Sequence, residues 1–297
     1  MARGHLGPTE GSGIVNPMTH TTLIDATALA GLLNAPAVVV IDCRFDLANT
    51  SAGEAAYAAG HIPGAVYAHL DRDLSAPKTG TNGRHPLPSP EIAAATFGRL
   101  GIDSTTQVVA YDAENGMYAS RLWWMLKWLG HDAVAVLNGG FAAWTAEQRP
   151  VSDVATVPTP RSFVAAVRPG MVVGASDVPA LAVSAGTRVV DARAPERFRG
   201  DVEPLDPVAG HIPGAVNHPF ATNLANGRFK SAEELRASFH ASLGDVRGDA
   251  VVCYCGSGVT ACHNVLALEY AGLGGARLYP GSWSEWVADP TRGVEKG

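Results

Sequence analysis

At 297 residues the chain has room for two ordinary domains, each with a core of its own. With 46% hydrophobic and 17% charged residues it is globular rather than disordered, and a net charge of −6 argues against nucleic acid or an anionic membrane as partner, since both favour basic surfaces. Four cysteines, Cys43, Cys253, Cys255 and Cys262, do not make the disulfide framework of a secreted protein, and no apolar run reaches transmembrane length. The expected compartment is a reducing cytoplasm.

Residues 1–20 mix Gly, Pro, Thr and charge without an apolar signal-peptide core, and they read as a flexible tail in which Met18 is an alternative start. The run Val38-Val39-Val40-Ile41 reads as a strand ending in Asp42-Cys43-Arg44, with Cys43 a core residue on it. The motif Ala59-Gly60-His61-Ile62-Pro63-Gly64-Ala65-Val66 follows, with His61 expected to pin a turn after a helix. Ser89-Pro90 has the form of an N-cap and a first helical proline. Val108-Val109-Ala110-Tyr111 is a second strand, ending in Asp112, and Leu137 leads into Asn138-Gly139-Gly140-Phe141-Ala142-Ala143-Trp144. Residues 148–170, rich in Pro, Thr, Ser and Val, show no helical period and read as a linker.

Beyond the linker the series repeats. Val189-Val190-Asp191-Ala192-Arg193 restates the strand with Asp-x-Arg, and residues 209–216 restate residues 59–66 with eight identical residues at a spacing of 150. Ser231-Ala232-Glu233-Glu234 has the form of a capping box. Residues 250–254 read as a buried strand, residues 260–271 as a helix, and Tyr279-Pro280-Gly281-Ser282-Trp283-Ser284-Glu285-Trp286 restates residues 137–144 at a spacing of 142. The elements match while the loops differ in length. The expected fold is α/β: two tandem modules, each a parallel sheet flanked by helices, facing each other across a cleft. The expected division is a tail over 1–20, a first module over 21–150, a linker over 151–170 and a second module over 171–297.

Sites in such sheets form at the carboxyl ends of strands. There the second module carries Cys255-Gly256-Ser257-Gly258-Val259-Thr260, between a strand and a helix N-terminus. Glycines let such a loop curl its N–H groups inward, and the helix start adds partial positive charge. An ordinary thiol is only about 3% thiolate at pH 7, and lowering its pKa by ~2 units, worth ~2.7 kcal/mol, makes it mostly thiolate. The matching residue of the first module is Asp112, which cannot do thiol chemistry, so the second module is expected to be catalytic and the first to support it or shape the pocket. A Cys-x5-Arg phosphatase needs arginine at position 261, which is Ala261. Cys253, Cys255 and Cys262 lack the Cys-x2-Cys spacing of a structural metal site. Cys253 and Cys262 are expected to be small buried hydrophobes, with redox coupling to Cys255 left open.

The duplicated Gly-His-Ile-Pro-Gly-Ala motif, the Cys-Gly-Ser-Gly-Val-Thr loop and Gly-Ser-Trp-Ser-Glu-Trp at 281–286 resemble the tandem-domain rhodanese-like sulfurtransferases, over residues 21–297. The resemblance implies transfer of a sulfane sulfur from a small donor to Cys255, then from the persulfide to cyanide or a thiol, thioredoxin-like dithiols included. It implies no cofactor and no metal. The neutral Gly256 and Ser257 resemble the loop of 3-mercaptopyruvate sulfurtransferases more than the Cys-Arg-Lys-Gly-Val-Thr loop of thiosulfate enzymes; thiosulfate is the alternative donor. It further implies a relay of Ser257, His85 and Asp71, a donor-binding Arg197, backbone binding by Gly256, Gly258, Val259 and Thr260, and Asp191 bracing the loop through its N–H groups. Where related enzymes carry a second arginine before the second Gly-His-Ile-Pro-Gly, this chain has Glu203-Pro204-Leu205-Asp206-Pro207-Val208. Arg84 and Arg121 are candidates for the missing charge, and Trp283 for a pocket wall. A monomer is expected, because two modules supply an internal pseudo-dimer. A non-catalytic persulfide carrier or redox sensor is the reading from another functional class, and multiple turnover separates the two.

Overall fold

The computed structural model describes residues 19–33 and 35–297, so the expected tail lies almost wholly outside the described residues. In the first module, strands β1 (Leu23–Ile24), β2 (Val38–Asp42), β3 (Val66–Tyr67), β4 (Gln107–Tyr111) and β5 (Val134–Leu137) form a parallel sheet in the order β1-β5-β4-β2-β3. Helices α1 (Ala26–Leu32), α2 (Ala52–Ala59), α3 (Leu70–Asp73), α4 (Pro90–Arg99), α5 (Ala119–Trp128) and α6 (Gly140–Ala146) accompany it. The second module has strands β6 (Arg188–Asp191), β7 (Val216–Asn217), β8 (Leu224–Ala225), β9 (Arg228–Phe229), β10 (Val251–Tyr254) and β11 (Arg277–Leu278). Its helices are α7 (Val178–Ala182), α8 (Pro195–Arg199), α9 (Ala232–Leu243), α10 (Thr260–Tyr270) and α11 (Ser282–Trp286). The order β11-β10-β6-β7 repeats that of the first sheet, and a single parallel bridge from Val172 to Leu278 stands where β1 would be. β8 and β9 form a separate antiparallel pair. Among the described residues no helix is long and apolar enough to cross a membrane.

The sequence accounts for these elements locally. β5 and β10 are unbroken apolar runs buried at every residue, as strands covered on both faces require. Ser89 Oγ accepts from the N–H of Ile92 and Pro90 opens α4, while Ser231 and Glu234 exchange both bonds of a capping box at α9. Each Gly-His-Ile-Pro-Gly histidine locks the helix before it: His61 Nδ1 meets Tyr57 O at 2.8 Å and its ring stacks on Tyr57, and His211 does the same with Phe198. Each Asp-x-Arg folds on itself. Arg44 and Arg193 each donate to the aspartate two residues earlier at 2.6 Å and to the carbonyl of Gly60 or Gly210 at 2.7 Å.

Asp191 and Cys43 depart from expectation. Asp191 takes its N–H bonds from the backbone and guanidinium of Arg193, not from the cysteine loop, so it braces the Gly-His-Ile-Pro-Gly turn instead. Cys43 lies one residue past β2; it is buried, and burial pushes its thiol far up. Within the expected linker, residues 152–168 lie along the first module. There Ser152 pairs with His61, and Arg161, Ala166 and Arg168 donate N–H bonds to Gly98, Leu129 and Trp128.

The cleft expected between the modules is for the most part a packed seam. α5 and α10, the helices that follow Asp112 and the cysteine loop, lie against each other, and their side chains belong to one apolar core containing Trp123, Trp124 and Met125 with Val265, Leu266 and Leu268. One polar group crossing the seam is paired on both edges: the His263 ring bonds Asn115 O at 3.0 Å through Nε2 and faces Asn223 Nδ2 at 3.2 Å through Nδ1. Such a ring is satisfied only when neutral, and burial pushes its pKa from 6.5 down to about 3. His218 is shifted the same way by burial. The folded state therefore binds fewer protons than the unfolded state below pH 6.5, and this contribution to stability, full above 6.5, is lost as pH falls towards about 3. The melting temperature should hold between pH 7 and 8 and fall through pH 6 to 5, with a shallower slope in His263→Gln; equal slopes in the two proteins would refute the assignment.

Candidate active site

β10 ends at Tyr254 and α10 begins at Thr260, so Cys255 opens a five-residue turn at the carboxyl edge of the sheet. Gly258 lies at φ +77°, where a Cβ would stand 2.2 Å from Pro280 O, and its N–H donates to Cys255 Sγ at 3.1 Å. The segment opening α11 holds the turn from behind. Cys255 N donates to Ser282 Oγ at 3.1 Å, Trp283 N to Cys255 O and Ser284 N to Gly256 O, both at 2.9 Å. Ser282 itself sits at φ +54°, a conformation filled by Gly140 in the first module. Its hydroxyl explains the exception, because it also donates to Tyr279 O at 2.9 Å and ties strand end to loop. Cys253 and Cys262 are buried, free thiols as expected; burial pushes Cys262 up to about 12 and Cys253 higher still.

The first module shows what this turn is built to hold. Asp112 places its carboxylate where the second module has sulfur, accepting N–H bonds from Gly116, Tyr118 and Ala119 at 2.9, 2.8 and 3.1 Å. Burial pushes the Asp112 carboxyl up, and these amides offset part of that. The duplicated turn is an anion cradle, filled by a carboxylate in one copy and presented to a thiol in the other.

Three residues distant in sequence converge beside it. His85 Nδ1 lies 2.7 Å from Ser257 Oγ, and its Nε2 lies 3.4 Å from Asp71 Oδ1. Burial and the cations Arg121, Arg84 and Lys78 push His85 down to about 3, so the ring is neutral at physiological pH. With Nε2–H turned to Asp71, Nδ1 accepts the Ser257 hydroxyl proton. Arg121, on α5, does not line the pocket and so does not replace the missing arginine at its wall. It is fully buried under the loop, donating to Gly258 O at 3.1 Å, His85 O at 3.3 Å and Leu74 O at 3.4 Å. Sequence reasoning missed the roles of Arg121 and Ser282; a left-handed serine and a buried arginine carry no local signature.

A cavity of about 200 Å³ opens over Cys255, Gly256, Ser257, Val259 and Thr260, walled by His85 and Tyr118 and by the guanidinium groups of Arg84 and Arg197. Trp283 is not a wall: it is wholly buried in the second module's core, with Arg193 stacked on its ring and its indole N–H on Val208 O. Arg197 is not free. Its Nη2 donates to Glu203 Oε1 at 2.6 Å and lies 3.6 Å from Asp206 Oδ2, while Arg84 Nη1 donates to Asp206 Oδ1 at 2.6 Å. Gly256 permits this crowding, since a Cβ there would stand 2.9 Å from Arg84 Nη2.

Two matching α/β modules, one with its cradle presented to a cysteine, define a duplicated single-site transfer scaffold. A family model described as a rhodanese-like domain matches residues 25–147 and again 175–289. The chain belongs to the rhodanese-like family, in its tandem-domain form. It is 46% identical over 283 residues to a probable 3-mercaptopyruvate sulfurtransferase of Pseudomonas aeruginosa, covering 94% of this chain and 100% of that one. It is 42% identical over 279 residues to a putative thiosulfate sulfurtransferase, SseB, of Mycobacterium tuberculosis, covering 93% and 97%. The crystal structure of SseA from Escherichia coli, described for the fold and mechanism of 3-mercaptopyruvate sulfotransferases, matches with a TM-score of 0.78 at 33% identity, covering 89% of this chain and 99% of that one.

The two loop glycines should respond differently. Gly258→Ala forces an L residue to φ +77° and against a backbone carbonyl, and should lower the melting temperature and abolish sulfur loading of Cys255. Gly256→Ala meets only a movable guanidinium tip, and should fold normally while raising KM for anionic donors. Equal melting temperatures and equal activities of the two variants would refute this account of the loop.

Proposed function

We propose that the chain transfers a sulfane sulfur from 3-mercaptopyruvate to a thiophile through a Cys255 persulfide, with residues 171–297 as the catalytic module and 21–150 as its support. The observation that carries the reading is the 2.7 Å contact of Ser257, in the cysteine loop, with His85 of the other module. In the loading step Cys255 sulfur attacks the donor sulfur; the new S–S bond forms as the donor's C–S bond breaks, and the bonding pair leaves as the enolate of pyruvate. One proton moves from the Cys255 thiol to that enolate, giving pyruvate. Ser257 and neutral His85 form a chain that takes this proton and returns it, with Asp71 facing the imidazole edge that becomes cationic in transit. In the second step cyanide or a thiolate attacks the outer sulfur, breaks the S–S bond and releases Cys255 as thiolate. The loop amide from Gly258, the α10 N-terminus and the Arg121 charge beneath the loop favour the anionic sulfur in both states.

Arg84 and Arg197 at the cavity wall supply the charge for the donor's carboxylate. A neutral Gly256-Ser257 turn leaves the second anionic centre of thiosulfate unmatched, which favours mercaptopyruvate and keeps thiosulfate as the weaker donor. A thiol acceptor, a thioredoxin-like dithiol among them, reaches the persulfide through the same opening. Both modules of one chain complete the site, which supports a monomer.

Cys255→Ser should abolish transfer from either donor, while Cys253→Ser and Cys262→Ser keep most of it; substantial turnover by Cys255→Ser, measured as thiocyanate, would end the persulfide mechanism. Ser257→Ala should cut kcat/KM for mercaptopyruvate by about 10²-fold or more, the scale of a lost acid–base group, and cost thiosulfate much less, because no carbon leaving group awaits a proton there. Equal losses with both donors would remove the relay from the mechanism.

A further inference from the structure

The stretch 203–208, where related enzymes place a second arginine, sets two carboxylates against the arginines of the cavity wall instead, and they are not equivalent. Glu203 is saturated: its oxygens accept from Arg197, from Arg193 at 3.1 Å and from the N–H groups of Leu205 and Asp206. Its side chain is 3% exposed, and it is a fixed part of the turn. Asp206 is held by less. Arg84 donates to its Oδ1 at 2.6 Å, whereas Oδ2 is buried without a hydrogen-bond partner, 3.6 Å from Arg197 Nη2. Its side chain is 4% exposed, although its neighbours Leu205 and Pro207 are exposed and the segment belongs to no helix or strand. Arg84 comes from the first module and Arg197 from the second, and both guanidinium groups converge over Gly256, beside Cys255. A buried carboxylate with one unsatisfied oxygen, between two arginines that reach the cysteine loop, has the chemistry of a donor's anionic group and contacts the same cations.

Given that donors enter this cavity, as the proposed function holds, we propose that Asp206 is an internal carboxylate that occupies the anion subsite between Arg84 and Arg197 in the unloaded enzyme, and that a donor binds by displacing it. Its exchange partner is the donor's own carboxylate or sulfonate-like oxygens, and the surface loop gives Asp206 a path to water. Arg84, Arg193 and Arg197 face Asp191, Glu203 and Asp206, three positive against three negative charges, so the unloaded subsite is balanced. The balance penalises a dianion more than a monoanion. Asp206 thereby adds to the preference that the neutral loop sets, by guarding the arginines rather than by touching the thiol.

The test uses the full chain and two probes that need no turnover, pyruvate and inorganic sulfate, with binding followed by calorimetry in wild type, Asp206→Asn and Asp206→Glu. Asp206→Asn should tighten pyruvate about fivefold and sulfate by roughly the square of that, about 25-fold, since the Coulomb gain scales with ligand charge. Asp206→Glu, which keeps the charge, should stay near wild type. In turnover the Asn variant should show its change in KM, and its kcat/KM for thiosulfate should rise more than that for mercaptopyruvate. Unchanged or weaker anion binding in Asp206→Asn, or a change confined to kcat, would overturn the proposal. If wild type transferred no sulfur from either donor, the functional reading would fail while the anion titrations still decided the role of Asp206.

Discussion

Everything in the site rests on one contact, the packing of α5 against α10. Each helix follows the anion-cradle loop of its own module, and their apolar faces merge into a single core. That seam carries Arg121 under the cysteine loop, where one guanidinium joins the carbonyls of Gly258, His85 and Leu74. Burying an arginine without a carboxylate partner costs several kcal/mol. Here three carbonyls and the neighbouring sulfurs of Cys262 and Cys255 offset part of the cost, and the guanidinium stays beneath the loop without a carboxylate. The same contact presents His85, on a loop of the first module, to Ser257 in the second.

Duplication explains how one scaffold yields one site. The first copy's cradle is closed by Asp112, a carboxyl group that takes up the loop amides and has no thiol chemistry to offer. The second copy leaves the equivalent amide to a thiol whose charge comes and goes with the reaction. The two copies of Asp-x-Arg and Gly-His-Ile-Pro-Gly make the same bonds on both sides, which places them in the framework and not in the chemistry. Under the proposed function, selectivity rests on the residues that differ: the Gly256-Ser257 turn, and the acidic turn that meets Arg84 and Arg197.

Much of this was legible in the sequence because it was written twice. Eight identical residues at a fixed spacing disclosed the repeat, apolar runs marked the buried strands, and a cysteine between a strand and a helix start marked the reacting atom. What escaped depends on tertiary partners. Asp191 closes its strand, where a loop brace would stand, yet the nearer guanidinium of Arg193 takes it. The carboxylate partners of Arg197 went unread because Glu203 and Asp206 are brought back to it only by a turn whose path no periodicity reveals. Ser282 at φ +54° contradicts local propensity, and only the hydrogen bonds it makes to Cys255 and Tyr279 explain it. Trp283 was misplaced for the same reason, since composition does not say which surface an aromatic will cover.

The central claim is that Ser257 and His85, from different modules, act as one proton path. A double-mutant cycle on kcat/KM for mercaptopyruvate, using Ser257→Ala, His85→Asn and the pair, tests it directly. If the two residues form one path, the double variant is about as slow as the slower single one, as for residues that work as a unit. Losses that multiply in the double variant would show two independent roles and contradict the cross-module relay.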